Sequence, residues 1–235
     1  MPDVFQVLKQ DHDEVKAMLA QLEEGPRASA GATEEQLAFR KRSVDEVIIE
    51  ESKHEAAEQQ YFWPAVKRLG ADGLRVAQLG LEQEAEADPV LADLDKLQPD
   101  DHAFEERLAA FTSAARAHIA YEEVHAWPLL RAAISANEAQ ALGEQITKAK
   151  KLAPTRPHPH VPSQPGAVKT AGPVAGVADR LRDAVSGRGK TPSAPMANTS
   201  RTPDTRVARV DPMADSATAR IMYFARADPA TCWAM

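Results

Sequence analysis

The pattern His-x3-Glu-x4-Trp-Pro occurs twice in this chain, as His54, Glu58, Trp63-Pro64 and as His118, Glu122, Trp127-Pro128, with the copies 64 residues apart. Chance repetition of four residue types in one register is improbable. Residues four apart on a helix lie on one face about one turn apart, so each copy can offer an imidazole and a carboxylate to the same small volume. That is metal-ligand spacing. It favours architectures that set two helices side by side, in the same direction and at the same depth.

Ala, Leu, Glu, Gln and Lys dominate the first 150 residues, and apolar positions recur at three and four rather than at two, which is the helical period. Four long helices are predicted. The first runs from an N-cap at Asp3 to Glu24. The second starts at a capping box of Thr33 and Gln36 and reaches about Leu69, before Gly70 and Gly73. The third covers about Leu74 to Leu97, with a kink at Asp88-Pro89, and the fourth runs from about Asp101 past Leu130. A shorter fifth helix is expected over about Asn137 to Lys150. Short loops between long amphipathic helices make neighbours antiparallel, so the fold class is all-α and the architecture an up-down-up-down four-helix bundle. Helices two and four then run parallel, and the two copies of the repeat face each other across the core.

Segment lengths test that register. At about 1.5 Å per residue, Glu58 lies roughly 18 Å from the end of helix two and Glu84 roughly 15 to 18 Å from the start of helix three. Glu84 and His118 agree as well, at roughly 21 Å and 22 to 25 Å from the connection between helices three and four. His12 lies roughly 18 Å from the end of helix one but His54 roughly 31 Å from the start of helix two, which requires overhang or a later start.

Charge and proline change character near residue 150. Residues 1–150 hold 29 acidic and 16 basic side chains and 6 prolines; residues 151–235 hold 6 acidic and 12 basic side chains and 11 prolines. The second segment is expected to be a mostly disordered, mildly basic tail. Within it, residues 175–186 place Val177, Leu181 and Val185 four apart, the pattern of a short amphipathic helix able to dock on a partner or on the bundle. An acidic bundle argues against nucleic-acid binding. No run approaches about 18 apolar residues and the N-terminus lacks a basic-then-apolar leader, so neither membrane nor secretion is expected and the cytoplasm is the expected location. The single Cys232 suits that compartment and excludes a thiolate metal cluster.

Helix four reads as a seam of Phe104, Leu108, Phe111, Ala115, His118, Glu122, His125 and Leu129, and His12 continues the stripe of Leu8, Val15 and Leu19 in helix one. Burying unpaired carboxylates costs several kcal/mol, and a cation resolves that conflict by taking the charge. Tyr61 and His125, each seven residues beyond a repeat histidine, are candidates to orient the ligands or relay protons. His102 reads as turn surface, His158 and His160 as tail, and the two Trp-Pro pairs as packing and helix-kink devices.

These residues resemble the hemerythrin-like HHE cation-binding family over about residues 3–135. The matching elements are His12 in Asp-His-Asp-Glu-Val, His54 with Glu58, and His118 with Glu122. The family carries a histidine on helix three in a Leu-Glu-Glu-His type motif; here Leu81-Glu82-Gln83-Glu84 puts Glu84 at that position. The resemblance implies a non-heme di-iron centre, with Glu58 and Glu122 bridging, His12, His54 and His118 as nitrogen ligands and Glu84 as an oxygen ligand. Manganese or zinc suits the same donors less specifically. It further implies a small-molecule partner, namely oxygen, peroxide or nitric oxide, and an electron donor. The departure at Glu84 makes the site more anionic and favours redox chemistry over reversible oxygen carriage.

Two other readings stay open. Glu51-Ser52-Lys53-His54 and Glu122-Glu123-Val124-His125 both satisfy the Glu-x-x-His signature of ferritin-like carboxylate oxidases, although their 71-residue separation puts one about 10 Å deeper than the other in parallel helices. The other is a metal-free helical sensor or interaction module.

Overall fold

The computed structural model describes residues 1–158, 165–186 and 188, with side chains for 1–158, 175–185 and 188. Those residues hold helices and no strand. Helix α1 spans Val4–Glu24, with the Asp3 carboxylate accepting from the Gln6 N–H and the Gln6 side chain accepting in return from the Asp3 N–H. The same reciprocal cap, Thr33 with Gln36, opens α2, Glu34–Ala57. After α2 a π turn, Glu58–Phe62, leads into α3, Trp63–Lys67. Gly70 reverses the chain at φ +86°, a conformation open to glycine, and α4 follows as Ala71–Lys96 with Pro89 inside it. The Asp101 carboxylate accepts from the Gln98 N–H at 2.6 Å and closes a turn, so α5 starts later than expected, as Phe104–Tyr121. A second π turn, Glu122–Ala126, joins it to α6, Trp127–Ala133. The fifth expected helix is α7, Ala136–Lys150, capped by Ser135 and Glu138.

Sequence reading expects unbroken helices across 33–69 and past 130. Both are interrupted at the repeat, for a shared reason. Proline lacks an N–H and its ring crowds the carbonyl one turn back, so the ladder widens ahead of Pro64 and Pro128. Trp63 donates its N–H to the Glu58 carbonyl and Trp127 donates to the Glu122 carbonyl, both five residues back. The two Trp-Pro pairs therefore set π turns that begin at the repeat glutamates.

Four rods result: α1, α2 with α3, α4, and α5 with α6. Each packs on the next, and α1 closes the ring on α5. Helix α7 lies outside them, against α1, α2 and the first π turn. The rods bury two apolar clusters, one around Leu8, Phe62, Trp63, Ala77 and Leu130, the other around Leu19, Ile48, Leu91, Phe104 and Phe111. Between them along every rod sits a polar layer: His12 between Leu8 and Val15, Glu84 between Ala77 and Leu91. The His12–His54 mismatch is resolved by overhang. Helix α2 has eight more residues to His54 than α1 has after His12, about 12 Å. The connection 25–33, with a 3-10 turn at Ala28–Ala30, climbs that difference, and buried Arg40 of α2 donates to the Leu22 carbonyl near the end of α1.

The segment expected to be a disordered tail contains α8, Pro165–Ser186, longer than the helix read from 175–186. Its docking face is not the apolar stripe, since Val177, Leu181 and Val185 are exposed. Asp179 and Asp183 are buried instead, accepting from Thr155, Arg156 and His158. Over residues 175–185 the contacts are ion pairs and hydrogen bonds of Asp179 and Asp183, so the helix docks as apolar spacing allowed but not through the apolar stripe. His160, Cys232 and residues 189–235 lie outside the described residues. Among the described residues no helix is long and apolar enough to cross a membrane.

Gly80 of α4 packs against the Trp63 indole, and a Cβ there would run into the indole's six-membered ring. Alanine raises helix propensity by about 1 kcal/mol, but overpacking a rigid ring costs about 1 to 3 kcal/mol. Gly80→Ala is therefore expected to lower stability in urea unfolding; a midpoint equal to or above that of the parent would contradict this packing.

Candidate metal centre

The six residues that the repeat, the helix-one stripe, the segment lengths and the family resemblance point to, His12, His54, Glu58, Glu84, His118 and Glu122, converge. They form two groups, His12, His54, Glu58 and Glu122, and Glu58, Glu84, His118 and Glu122, each with ligand atoms within 4.8 Å of one another. Glu58 and Glu122 belong to both. Each rod contributes at least one member, and all six are buried, the two shared glutamates completely. The imidazole Nε2 atoms point inward: that of His12 lies 3.2 Å from Glu122 Oε2, that of His54 3.2 Å from Glu58 Oε2, and that of His118 3.3 Å from Glu122 Oε1.

These close approaches are not hydrogen bonds in their angles. The three Nε2 atoms and all four oxygens of Glu58 and Glu122 are buried without a hydrogen-bond partner. Buried polar atoms in folded proteins are nearly always satisfied, so seven orphans around one small volume fit a divalent or trivalent cation pair better than they fit one another. The donor set, imidazole with carboxylate, suits iron, manganese or zinc.

The outward atoms are held by a closed belt. Asp11 Oδ2 lies 3.2 Å from His54 Nδ1, Gln83 Oε1 3.0 Å from His118 Nδ1, and Glu123 Oε1 3.1 Å from His12 Nδ1. Gln59 Nε2 donates to Glu84 Oε2 at 2.8 Å. Each belt member is the sequence neighbour of a converging residue on one rod, and it serves the converging residue of the next: α1 to α2, α2 to α4, α4 to α5, α5 back to α1. Neighbours in a helix point about 100° apart, so a rod that aims one side chain at the axis aims the next at the adjoining rod. An Nδ1–H donated outward leaves Nε2 as the free lone pair facing the cavity.

The tryptophans complete the walls in parallel ways. Trp63 donates its indole N–H to Glu84 Oε1. Trp127 stacks on His12, centroids 4.9 Å apart and planes 13° from parallel. Sequence reading gave both only a packing and kink role, and it missed Asp11, Gln59, Gln83 and Glu123. A signal was available, because Gln59 and Glu123 follow the repeat glutamates at equivalent positions 64 residues apart.

The two residues read as orienting or relaying groups are placed differently. His125 is exposed, its ring centroid 5.1 Å from Tyr121. A π turn takes more residues per turn than an α-helix, so positions after Glu122 fall off the seam that His118 and Glu122 share. Tyr61 is half-buried against the apolar cluster that contains Trp63. With His125 outside the cavity, the Glu-x-x-His register of a ferritin-like site is not assembled here. His102 is exposed in its turn, as expected.

Charge inside the layer is strongly coupled. Burial, with the charge of Glu122, pushes the Glu58 carboxyl up to about 8 against the pull of His54. Burial raises Glu84 to about 7, opposed by the His118 charge and its two hydrogen-bond donors. For His118 burial works against protonation, yet Glu122, Glu84 and Glu58 outweigh it and raise the imidazole to about 9. Burial opposes the Glu122 charge too, but His118 and His12 hold its carboxyl far below the ordinary range. Without a cation, folded Glu58 and His118 keep protons that the unfolded chain, at 4.5 and 6.5, has already released. Stability must therefore fall as pH rises across that interval, by up to about 1.4 kcal/mol per pH unit for each group. Metal-stripped protein is expected to unfold at lower urea at pH 8 than at pH 6.5; a flat or rising profile would contradict the buried ionisation pattern.

Known proteins resemble this chain in sequence and in fold. A hemerythrin-like protein of Schizosaccharomyces pombe is 25% identical over 143 residues, 60% of this chain and 70% of that protein. The crystal structure of a hemerythrin HHE cation binding domain-containing protein from Mycobacterium kansasii superposes with a TM-score of 0.52 over 64% of this chain and 86% of that one; at 22% identity the likeness is one of fold. The family model described as the hemerythrin HHE cation binding domain matches residues 3–130. That match takes in more than half of the chain and all six converging residues, and the chain belongs to the hemerythrin HHE cation binding domain family.

Proposed function

We propose that this protein holds a pair of non-heme irons and binds or reduces a small oxidant: oxygen, peroxide or nitric oxide. The observation that carries the reading is the double membership of Glu58 and Glu122, each with two unpartnered buried oxygens between two flanking ligand groups. In this reading Glu58 and Glu122 would help hold both irons, with His12 and His54 completing one group and His118 and Glu84 the other. Bound there, iron supplies the redox electrons that the side chains themselves lack.

The chain's own contribution is shape, dryness and tautomer. The two apolar clusters seal the layer from above and below, so a reactant that enters must be small and need no hydration shell. The belt fixes each imidazole with its Nε2 inward, so binding needs little reorientation. Trp63 and Gln59 each donate to Glu84, spreading its charge and holding a carboxylate where the family carries an imidazole. A site with three carboxylates stabilises the higher iron oxidation state, which supports reduction of an oxidant over reversible carriage. The single cysteine supports placing this chemistry in the reducing cytoplasm. A metal-free module is disfavoured by the seven orphaned atoms, which a purely structural core would have satisfied or replaced.

Protein expressed with iron supplied is expected to carry close to two irons per chain, to absorb in the near ultraviolet when oxidised, and, given an external reductant, to consume peroxide or nitric oxide. His54→Ala and His118→Ala should each remove about half of the iron or more, whereas exposed His102→Ala should leave it unchanged. Equal iron in all three variants, or iron near zero in the parent, would refute the assignment.

A further inference from the structure

The belt around the ligands is not uniform. Two of its members, Asp11 and Glu123, are acids, and both serve the half built by His12 and His54; the other half is served by the neutral amides of Gln83 and Gln59. Each acid is backed by a lysine. Lys16 donates to Glu123 at 2.7 Å, and Lys150 donates to Asp11 at 2.5 Å. Their surroundings differ. The Lys16–Glu123 pair is about one-third exposed on both sides, 35% and 31%, where water screens most of the interaction. Lys150 and Asp11 are 17% and 11% exposed, and His54 behind them is 6% exposed.

Lys150 is the last residue of α7, the helix outside the four rods, and it is 3.8 Å from Glu50 of α2 as well. Asp11 has no freedom to choose between partners: one oxygen meets Lys150 and the other meets His54. Removing the ammonium leaves Oδ1 of a mostly buried carboxylate without its donor, so Asp11 is no longer held in the pose that puts Oδ2 3.2 Å from His54 Nδ1. His54 then loses the acceptor that holds its Nε2 towards the cavity.

We propose that Lys150 is a positioning residue for the His12/His54 half of the centre, acting through Asp11, and that it couples docking of α7 to cation binding in that half. This inference rests on the metal reading above. Linkage makes the coupling reciprocal: whatever affinity the cation loses when Lys150 is removed, α7 loses in stabilisation by the cation.

The test is competition of a chelator against Fe(II) bound under anaerobic conditions, read as two release steps. Lys150→Met, which keeps the methylene stem, is expected to weaken one iron by about tenfold, the low end of the effect of losing an outer partner of a ligand, and to leave the other unchanged. Lys150→Arg should restore the parent curve, and Lys148→Met, on the exposed side of α7, should match the parent throughout. In the parent, adding Fe(II) should slow hydrogen exchange in the last turn of α7, and in Lys150→Met this slowing should be lost. Two parent-like release steps in Lys150→Met, or α7 exchange indifferent to Fe(II) in the parent, would overturn the proposal while leaving the metal reading standing. A parent protein that binds no Fe(II) would overturn both.

Discussion

Glu58 and Glu122 lie fully buried midway along the bundle, between two apolar layers, with no oxygen of either hydrogen-bonded. An uncompensated carboxylate in such a place costs several kcal/mol, comparable to the entire stability of an ordinary domain. The fold is arranged around that cost. Its six inward side chains come from all four rods, so the layer exists only when the rods are assembled in register. In the metal-free chain protons meet part of the cost, since Glu58 is pushed up to about 8 and His118 to about 9. A cation present at a hundred times its dissociation constant would add about 2.7 kcal/mol to the folded state by mass action alone.

Rigidity of the site comes from the ring outside it. Asp11, Gln59, Gln83 and Glu123 pass the task of orientation from one rod to the next, so a shift of one rod disturbs the inward side chain on its neighbour. The π turns contribute by local means. Beginning at Glu58 and Glu122, they turn the following residues off the seam and swing Trp63 onto Glu84 and Trp127 onto His12. Proline at positions 64 and 128 is the covalent origin of both turns, so the repeat encodes a backbone distortion as well as an inward imidazole and carboxylate.

Much of this was legible in the sequence, because the informative signals are periodic. Four-residue spacing put His54 with Glu58 and His118 with Glu122; rise per residue put Glu84 at their depth; apolar stripes put His12 inward. The N-cap at Asp3 and the capping box at Thr33 placed the starts of α1 and α2 where the structure has them. What could not be read depends on geometry that spacing assumes away. Ideal 3.6-residue periodicity kept His125 on the seam, and the π turn removed it. The belt residues lie on flanks, where a polar side chain looks solvated until the neighbouring rod is placed. Helix α8 docks through Asp179 and Asp183, and an argument from apolar stripes predicts the opposite face.

Crystals of iron-loaded protein measured at the iron absorption edge give the most direct test. Two anomalous peaks are expected inside the bundle, one beside His12 and His54, the other beside His118 and Glu84, with Glu58 and Glu122 lying between them and touching both. One peak, or two peaks that do not share those glutamates, would contradict this arrangement.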